Sequence, residues 1–175
     1  MIKKLRMYFL LAIATVFSAG ITHAKQPNIL LIVSEDNGPE LGCYGDRFAR
    51  TPYLDQLAED GILFRQAFVP QAGCSQSRAS FLTGLYPHQH GQFGLATWGF
   101  RMYRADTPNL PHSLKEVGYR TGIIGKLHIN PASAFPFDMH EITSANFQRT
   151  QLSDYAKHAK EFMGAGEEPF FLSVN

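Results

Sequence analysis

Cysteine is scarce: Cys43 and Cys74 are the only thiols in 175 residues. One possible pair, the default pairing in an oxidising compartment, is too few for a disulfide scaffold, so the fold must rest on an apolar core. Charge is also sparse, at 18% of residues, and nearly balanced: sixteen Lys and Arg against fifteen Asp and Glu leave a net +1. Without an excess of one sign the chain is not a charged disordered tail, and without a basic excess it lacks the footprint of a nucleic-acid binder. Internal repeats and low-complexity tracts are absent. What is plentiful is apolar side chain, 45% of residues, enough to build a packed interior.

The one long apolar run, Met7 to Phe17, is shorter than the roughly 20 residues a membrane-spanning helix needs. Lys3, Lys4 and Arg6 precede it, and the small residues Ser18-Ala19-Gly20 and Thr22-His23-Ala24 follow. This is the layout of a secretory signal peptide cleaved after Ala24. The expected organisation is therefore a signal peptide at 1–24 and a mature segment at 25–175, exported and without a stable membrane anchor.

Along the mature segment, strand and helix patterns alternate. Asn28 to Val33 is a continuous β-favouring run, expected to be a strand buried on both faces. Thr51-Pro52 opens a helix that Gly61 ends, and Ile62-Leu63-Phe64 reads as a short strand. A helix over Ser77 to Leu82 ends near Gly84, and one over Pro111 to Val117 ends at Gly118. Tyr119 to Ile124 is a strand, Ser153 to Met163 a helix, and Phe170 to Val174 a strand. Strands separated by helices imply an α/β sheet covered on both faces. The last strand has no helix after it, so the chain is expected to be the first part of a longer domain.

Three polar clusters fall at strand ends. Glu35-Asp36 follows the first strand; two adjacent carboxylates suit a hard cation such as Ca²⁺ or Mg²⁺, or form a solvated acidic turn. Cys74 stands at a helix start with Arg78 four residues later, on the same face. That places an anion-favouring terminus beside a guanidinium fork suited to a tetrahedral oxyanion, or else a buried thiol beside a surface ion pair. Lys126 and His128, two apart beyond a buried run, are expected to share one face of a strand, as a cationic pair or as a polar strand terminus. Together the clusters describe an anion-plus-metal site.

Cys74-Ser75-Gln76-Ser77-Arg78, followed by Ala79-Ser80-Phe81-Leu82-Thr83-Gly84, resembles the signature of the type I sulfatases. Pro27 to Leu30, Thr51 to Asp55 and Thr121 to His128, with its Lys-x-His element, agree with it. Tyr86 to Gly91 and Phe135 to Asp138 are most similar to the heparan N-sulfatase branch and its bacterial relatives. The resemblance implies an alkaline-phosphatase-like α/β fold with a large, mostly parallel sheet. It implies oxidation of Cys74 to formylglycine by a maturation enzyme, and covalent catalysis in which one hydroxyl of the hydrated aldehyde attacks sulfur. The second hydroxyl then loses its proton and collapses the sulfated intermediate. Implied Ca²⁺ ligands are Glu35, Asp36 and residue 74; Arg78 would steady formylglycine, Lys126 would bridge it to the sulfate, and His128 would bind its hydroxyl. The implied substrate is a sulfated carbohydrate, with O- or N-sulfo groups of glycosaminoglycan type. The implied location is periplasmic or secreted, or lysosomal in a eukaryote.

The sequence departs from the family pattern in three places. Glu35 stands where Asp is more usual, and Gln76 where the maturation signal usually has Pro or Ala. The chain also ends before the family's second His element and later Asp and Asn calcium ligands, so by itself it is expected to be inactive. Two alternatives share the same residues: a phosphatase or phosphodiesterase of the superfamily, and a non-catalytic binder of sulfated glycan. His88 and His90 are expected in a solvated or substrate-facing loop rather than on zinc, and His112 offers no conventional third ligand. Trp98, Phe100 and Tyr103 either stack on a sugar or pack under a loop. Cys43 reads as a small buried hydrophobe.

Overall fold

The computed structural model describes residues 25–143 and 150–175; the expected signal peptide lies outside the described residues. Phe170–Val174 (β4) is a run of aromatic and apolar residues interrupted only by Ser173, and it lies in the middle of a four-stranded sheet. Ile29–Ile32 (β1) flanks it on one side and Arg120–Ile124 (β2) on the other, with Met139–Glu141 (β3) outside β2. All pairings are parallel. In register, Ile32, Val174 and Ile124 are aligned across the sheet. The residues that follow each of them therefore leave the sheet together, at its carboxyl edge.

Side chains alternate along β4 and supply both faces, as strand geometry requires. Phe171 joins Ile123, with Ile29 and Leu31 of β1, in a core roofed by Ala79 and Leu82 of the helix Cys74–Thr83 (α2) and by Leu110 and Leu114 of the helix Leu110–Glu116 (α4). Phe170 and Leu172, with Ile124, meet Tyr155, Ala159 and Phe162 of the helix Leu152–Met163 (α5) on the opposite face. A fully buried Leu or Phe contributes about 1.5–3 kcal/mol. Gly122 permits the second contact, since a Cβ there would lie 2.9 Å from the Phe162 ring and 3.0 Å from Leu172.

The remaining helices are Pro52–Asp60 (α1), with Pro52 in its first turn and Gly61 just past its end, and the single turn Pro87–His90 (α3). The expected strand at Ile62–Phe64 does not form: the segment is irregular, with Ile62 and Phe64 largely exposed. Three apolar residues without a pairing strand gain no ladder hydrogen bonds. β1 also differs from expectation. Ile29 and Leu31 pack inward, whereas Leu30 and Ile32 are 48% and 68% exposed, because among the described residues β1 is an edge strand that α5 does not cover. β3 and α3 carry too few residues to announce themselves by periodicity.

Candidate active site

Gly73 precedes α2 with φ 147°, a backbone setting only glycine adopts readily, and Cys74 is the first helical residue. Gly84 ends the helix in the left-handed conformation, its N–H donating to the Ser80 carbonyl. Four residues into α2, Arg78 is buried to 5% side-chain exposure and all its acceptors come from the sheet edge. Its Nη2 donates to Glu35 Oε2 at 2.6 Å. Its Nη1 donates to the Lys126 carbonyl at 2.6 Å and to Asn175 Oδ1 at 2.9 Å.

Glu35 is the hub. Lys126 Nζ reaches its Oε1 at 2.5 Å, and the Cys74 thiol lies 3.7 Å from the same oxygen. Burial acts to raise the Glu35 pKa, but the Lys126 hydrogen bond and the charges of Arg78 and Lys126 outweigh it and hold the carboxyl below its ordinary value. Glu35 is therefore ionised at neutral pH. Asp36 follows with φ 52°, and ligating atoms of Glu35, Asp36 and Cys74 all fall within 4.8 Å of one another. These residues, with Ser34, Gly73 and Arg78, line a cleft of about 380 Å³.

The sequence placed Lys126 and His128 on a strand; the structure does not. β2 ends at Ile124, and Gly125 turns the chain with φ 105°, where a Cβ would strike the Asn175 carbonyl. Lys126 reaches Glu35 from this loop, and His128 sits in it with φ 52°. Both imidazole nitrogens of His128 are buried without a hydrogen-bond partner among the described residues. Burial, and then the charges of Lys126 and Arg78, lower its pKa against the opposing pull of Glu35, so the ring is neutral. A neutral ring offers one donor and one acceptor nitrogen.

Asn175 was missed by sequence reasoning, since a lone Asn after an apolar run has no periodic signature. Its position follows from register: its N–H donates to the Ile124 carbonyl, which turns its side chain onto Arg78.

Other expectations change. Cys43 and Cys74 are both free. Cys43 is only half-buried, in a 3-10 turn whose backbone N–H donates to Asp55 Oδ1. His90 is not solvated but 1% exposed: Nδ1 accepts from the Gln92 N–H, which leaves Nε2–H to donate to Ser80 Oγ at 3.0 Å. His88 is exposed and stacked on Tyr86. His112 is exposed beside Glu116. Trp98 stands mostly exposed, whereas Phe100 lies against Gly94, and Tyr103 against Gly91 and the Phe93 ring, each with one side open. Gln76 is buried, its amide donating to the Phe93 carbonyl while its Oε1 finds no partner among the described residues.

The sulfatase family model matches residues 27–174. Over 161 residues the chain is 43% identical to human (Homo sapiens) N-sulphoglucosamine sulphohydrolase, covering 89% of this chain and 32% of that protein. It is 43% identical over 100 residues to iduronate 2-sulfatase of Mus musculus, covering 57% of this chain and 18% of that protein. A protein solved in complex with its substrate D-glucosamine-2-N,6-O-disulfate superposes with a TM-score of 0.69 at 24% identity, over 85% of this chain and 34% of that one. The chain thus spans about a third or less of the length of these relatives, and its parallel sheet flanked by helices is the alkaline-phosphatase-like fold. With the family model covering nearly all of residues 25–175 and close identity to a sulphohydrolase, the chain belongs to the sulfatase family.

Proposed function

We propose that the full-length protein is an exported sulfuric ester or sulfamate hydrolase that removes sulfate from a sulfated carbohydrate, with residue 74 as its nucleophile. The observation that carries this reading is the convergence on one carboxylate, Glu35, of Cys74 and Arg78 from α2 and of Lys126 from the loop after β2. The identity of 43% with a sulphohydrolase supports the substrate class.

The donor set bears on the chemistry of residue 74. Glu35 and Asp36 offer hard oxygens suited to Ca²⁺, but a thiol is a soft donor that Ca²⁺ does not select. Oxidation of Cys74 to formylglycine by a maturation enzyme replaces sulfur by oxygen and makes the three-residue cluster chemically uniform. When bound there, Ca²⁺ withdraws charge from sulfate oxygens. The ion takes six to eight oxygens, so the full-length protein supplies the others.

The side chains of this chain have distinct tasks. Arg78, held by three acceptors, is rigid and fixes Glu35 at the floor of the cleft. Lys126, also reaching Glu35, is the mobile cation, able to turn from the carboxylate to a sulfate oxygen. Neutral His128 hydrogen-bonds the attacking hydroxyl through one ring nitrogen and accepts its proton. Preorganised donors of this kind contribute several kcal/mol to transition-state stabilisation.

Mass spectrometry of the Cys74 peptide from full-length protein made in its native host tests the proposal. The expected result is loss of the thiol mass in favour of the aldehyde, with sulfate released from N- or O-sulfated glucosamine. An unmodified thiol in protein that still releases sulfate would overturn the formylglycine assignment, and no release from either substrate would overturn the hydrolase reading.

A further inference from the structure

Outside the residues already given roles, the densest buried polar cluster joins the two loops that carry the chemistry. Gln92 is fully buried. Its Nε2 donates to the carbonyls of Gly94 and Phe100, at 2.8 and 3.0 Å, and its Oε1 accepts the Asn130 N–H at 3.2 Å. Asn130 turns its side-chain amide and its carbonyl onto the same segment. Its Nδ2 donates to the carbonyls of Ala96 and Phe100 at 2.8 and 3.0 Å, and its own carbonyl accepts the Met102 N–H at 2.8 Å. The far side of that segment touches the nucleophile turn, where the Ala96 N–H donates to Ser75 Oγ at 2.9 Å. Ser75 is itself fully buried and is bonded directly to residue 74.

A continuous hydrogen-bonded path thus runs from Ser75 through Ala96 to Asn130, two residues beyond His128. Neither end is held in register by the sheet: residues 126–130 lie past the end of β2, and residues 91–103 hold only one short 3-10 turn, Ala96–Trp98. Irregular segments of this kind keep one geometry only if their backbone groups are tied down, and fully satisfied buried networks do so.

We propose that Gln92 and Asn130 are positioning residues that clamp the segment 94–100 between the nucleophile turn and the Lys126–His128 loop, and so set the distance between residue 74 and its proton-transfer and cationic partners. The role in turnover rests on the hydrolase reading above; the clamp itself does not. Its effect is geometric, because misplacing a reacting group by about 1 Å costs on the order of 100-fold in rate.

The test uses Gln92→Met, Asn130→Ala and Ser75→Ala in the matured full-length protein, with 4-nitrophenyl sulfate as the probe and amide hydrogen exchange as a second readout. Gln92→Met keeps the side-chain volume but removes both donors. Asn130→Ala keeps the backbone bonds and removes the two side-chain donors. Ser75→Ala cuts the link to the nucleophile turn and leaves the rest of the clamp intact. Each is expected to lower kcat about 10- to 100-fold with KM within about twofold, and to speed exchange at the Ala96 amide at least tenfold. The Gln92 and Asn130 double variant is expected to lose no more than the worse single one, since both act through one segment.

Unchanged exchange at Ala96 in both Gln92→Met and Asn130→Ala would overturn the clamp. Faster exchange with unaltered kcat would reduce the network to a structural role and overturn positioning. If Gln92→Met is poorly folded, Asn130→Ala decides, because Ser75→Ala removes the acceptor of the Ala96 N–H itself. If the unaltered protein releases no sulfate, the hydrolase reading fails by itself, and the exchange measurement still decides whether the clamp exists.

Discussion

Two stretches of this chain meet at one cleft under very different constraint. Residues 74–82 and 119–129 supply Cys74, Arg78, Lys126 and His128, and they also supply much of the apolar core: Ala79, Leu82, Ile123, Leu127 and Ile129 are almost wholly buried. Residues 35–70 supply Glu35 and Asp36, yet α1 buries no residue, and Tyr53, Leu57, Ile62, Phe64 and Phe68 are mostly exposed. Among the described residues, then, the cations rise from elements that pack in the core, while Glu35 follows edge-placed β1 and is paired with Arg78 and Lys126.

The contrast is sharpest in stability. Leu172→Ala, at a fully buried position of β4, is expected to cost about 2–5 kcal/mol, whereas Leu57→Ala on α1 should stay within about 0.5 kcal/mol. Denaturant unfolding of the full-length protein measures both, and a large loss at Leu57 would show that α1 packs against a surface beyond this chain. Next in size is Lys126→Met, expected to lower kcat about 100- to 1,000-fold and to leave Glu35 with Arg78 as its one cationic partner. A loss confined to KM would mean that Lys126 only binds substrate.

A pH effect distinguishes the rigid side further. Burial, and then the charge of His88, hold the His90 pKa below its ordinary value of 6.5. The unfolded chain therefore takes up a proton first as the pH falls, and the contribution of His90 to stability, complete above pH 6.5, is lost as the pH drops from there toward the folded value. Thermal melts between pH 5 and 8 are expected to show this slope, and His90→Gln to flatten it. The smallest expected effect is that of Asp138→Asn. Asp138 accepts from the Thr121 N–H and hydroxyl and pairs with Lys115, but it is partly exposed, so the loss should be about 1 kcal/mol or less.

What the sequence disclosed follows the same division. Strands β2 and β4 and helices α2, α4 and α5 were legible because apolar runs and glycine stops at Gly84 and Gly118 are local signals. The spacing of Cys74 and Arg78 likewise placed both on one turn of a helix. The loop at Lys126 was misread because strand alternation was carried past Gly125 to His128, although the backbone turns at Gly125. His90 looked solvated because its side-chain partner, Ser80, comes within reach only when α2 and α3 pack. Asn175, Gln92 and Asn130 have no periodic signature, since the bonds that place them, Asn175 to Arg78, Asn130 to Ala96 and Asn130 to Gln92, join distant parts of the sequence. Exposure of Leu30 and Ile32 was equally hidden, because an edge strand and a central one can share the same composition.

The order of strands across the sheet has a consequence for how the molecule is made. β4, last in the chain, lies between β1 and β2, so neither earlier strand meets its central partner until residue 174 has been synthesised. At about 5–20 residues per second, Cys74 precedes that moment by roughly 5–20 s. For that interval the thiol travels on an unanchored polypeptide, open to any enzyme that must act on it before the sheet closes and seats it against Glu35.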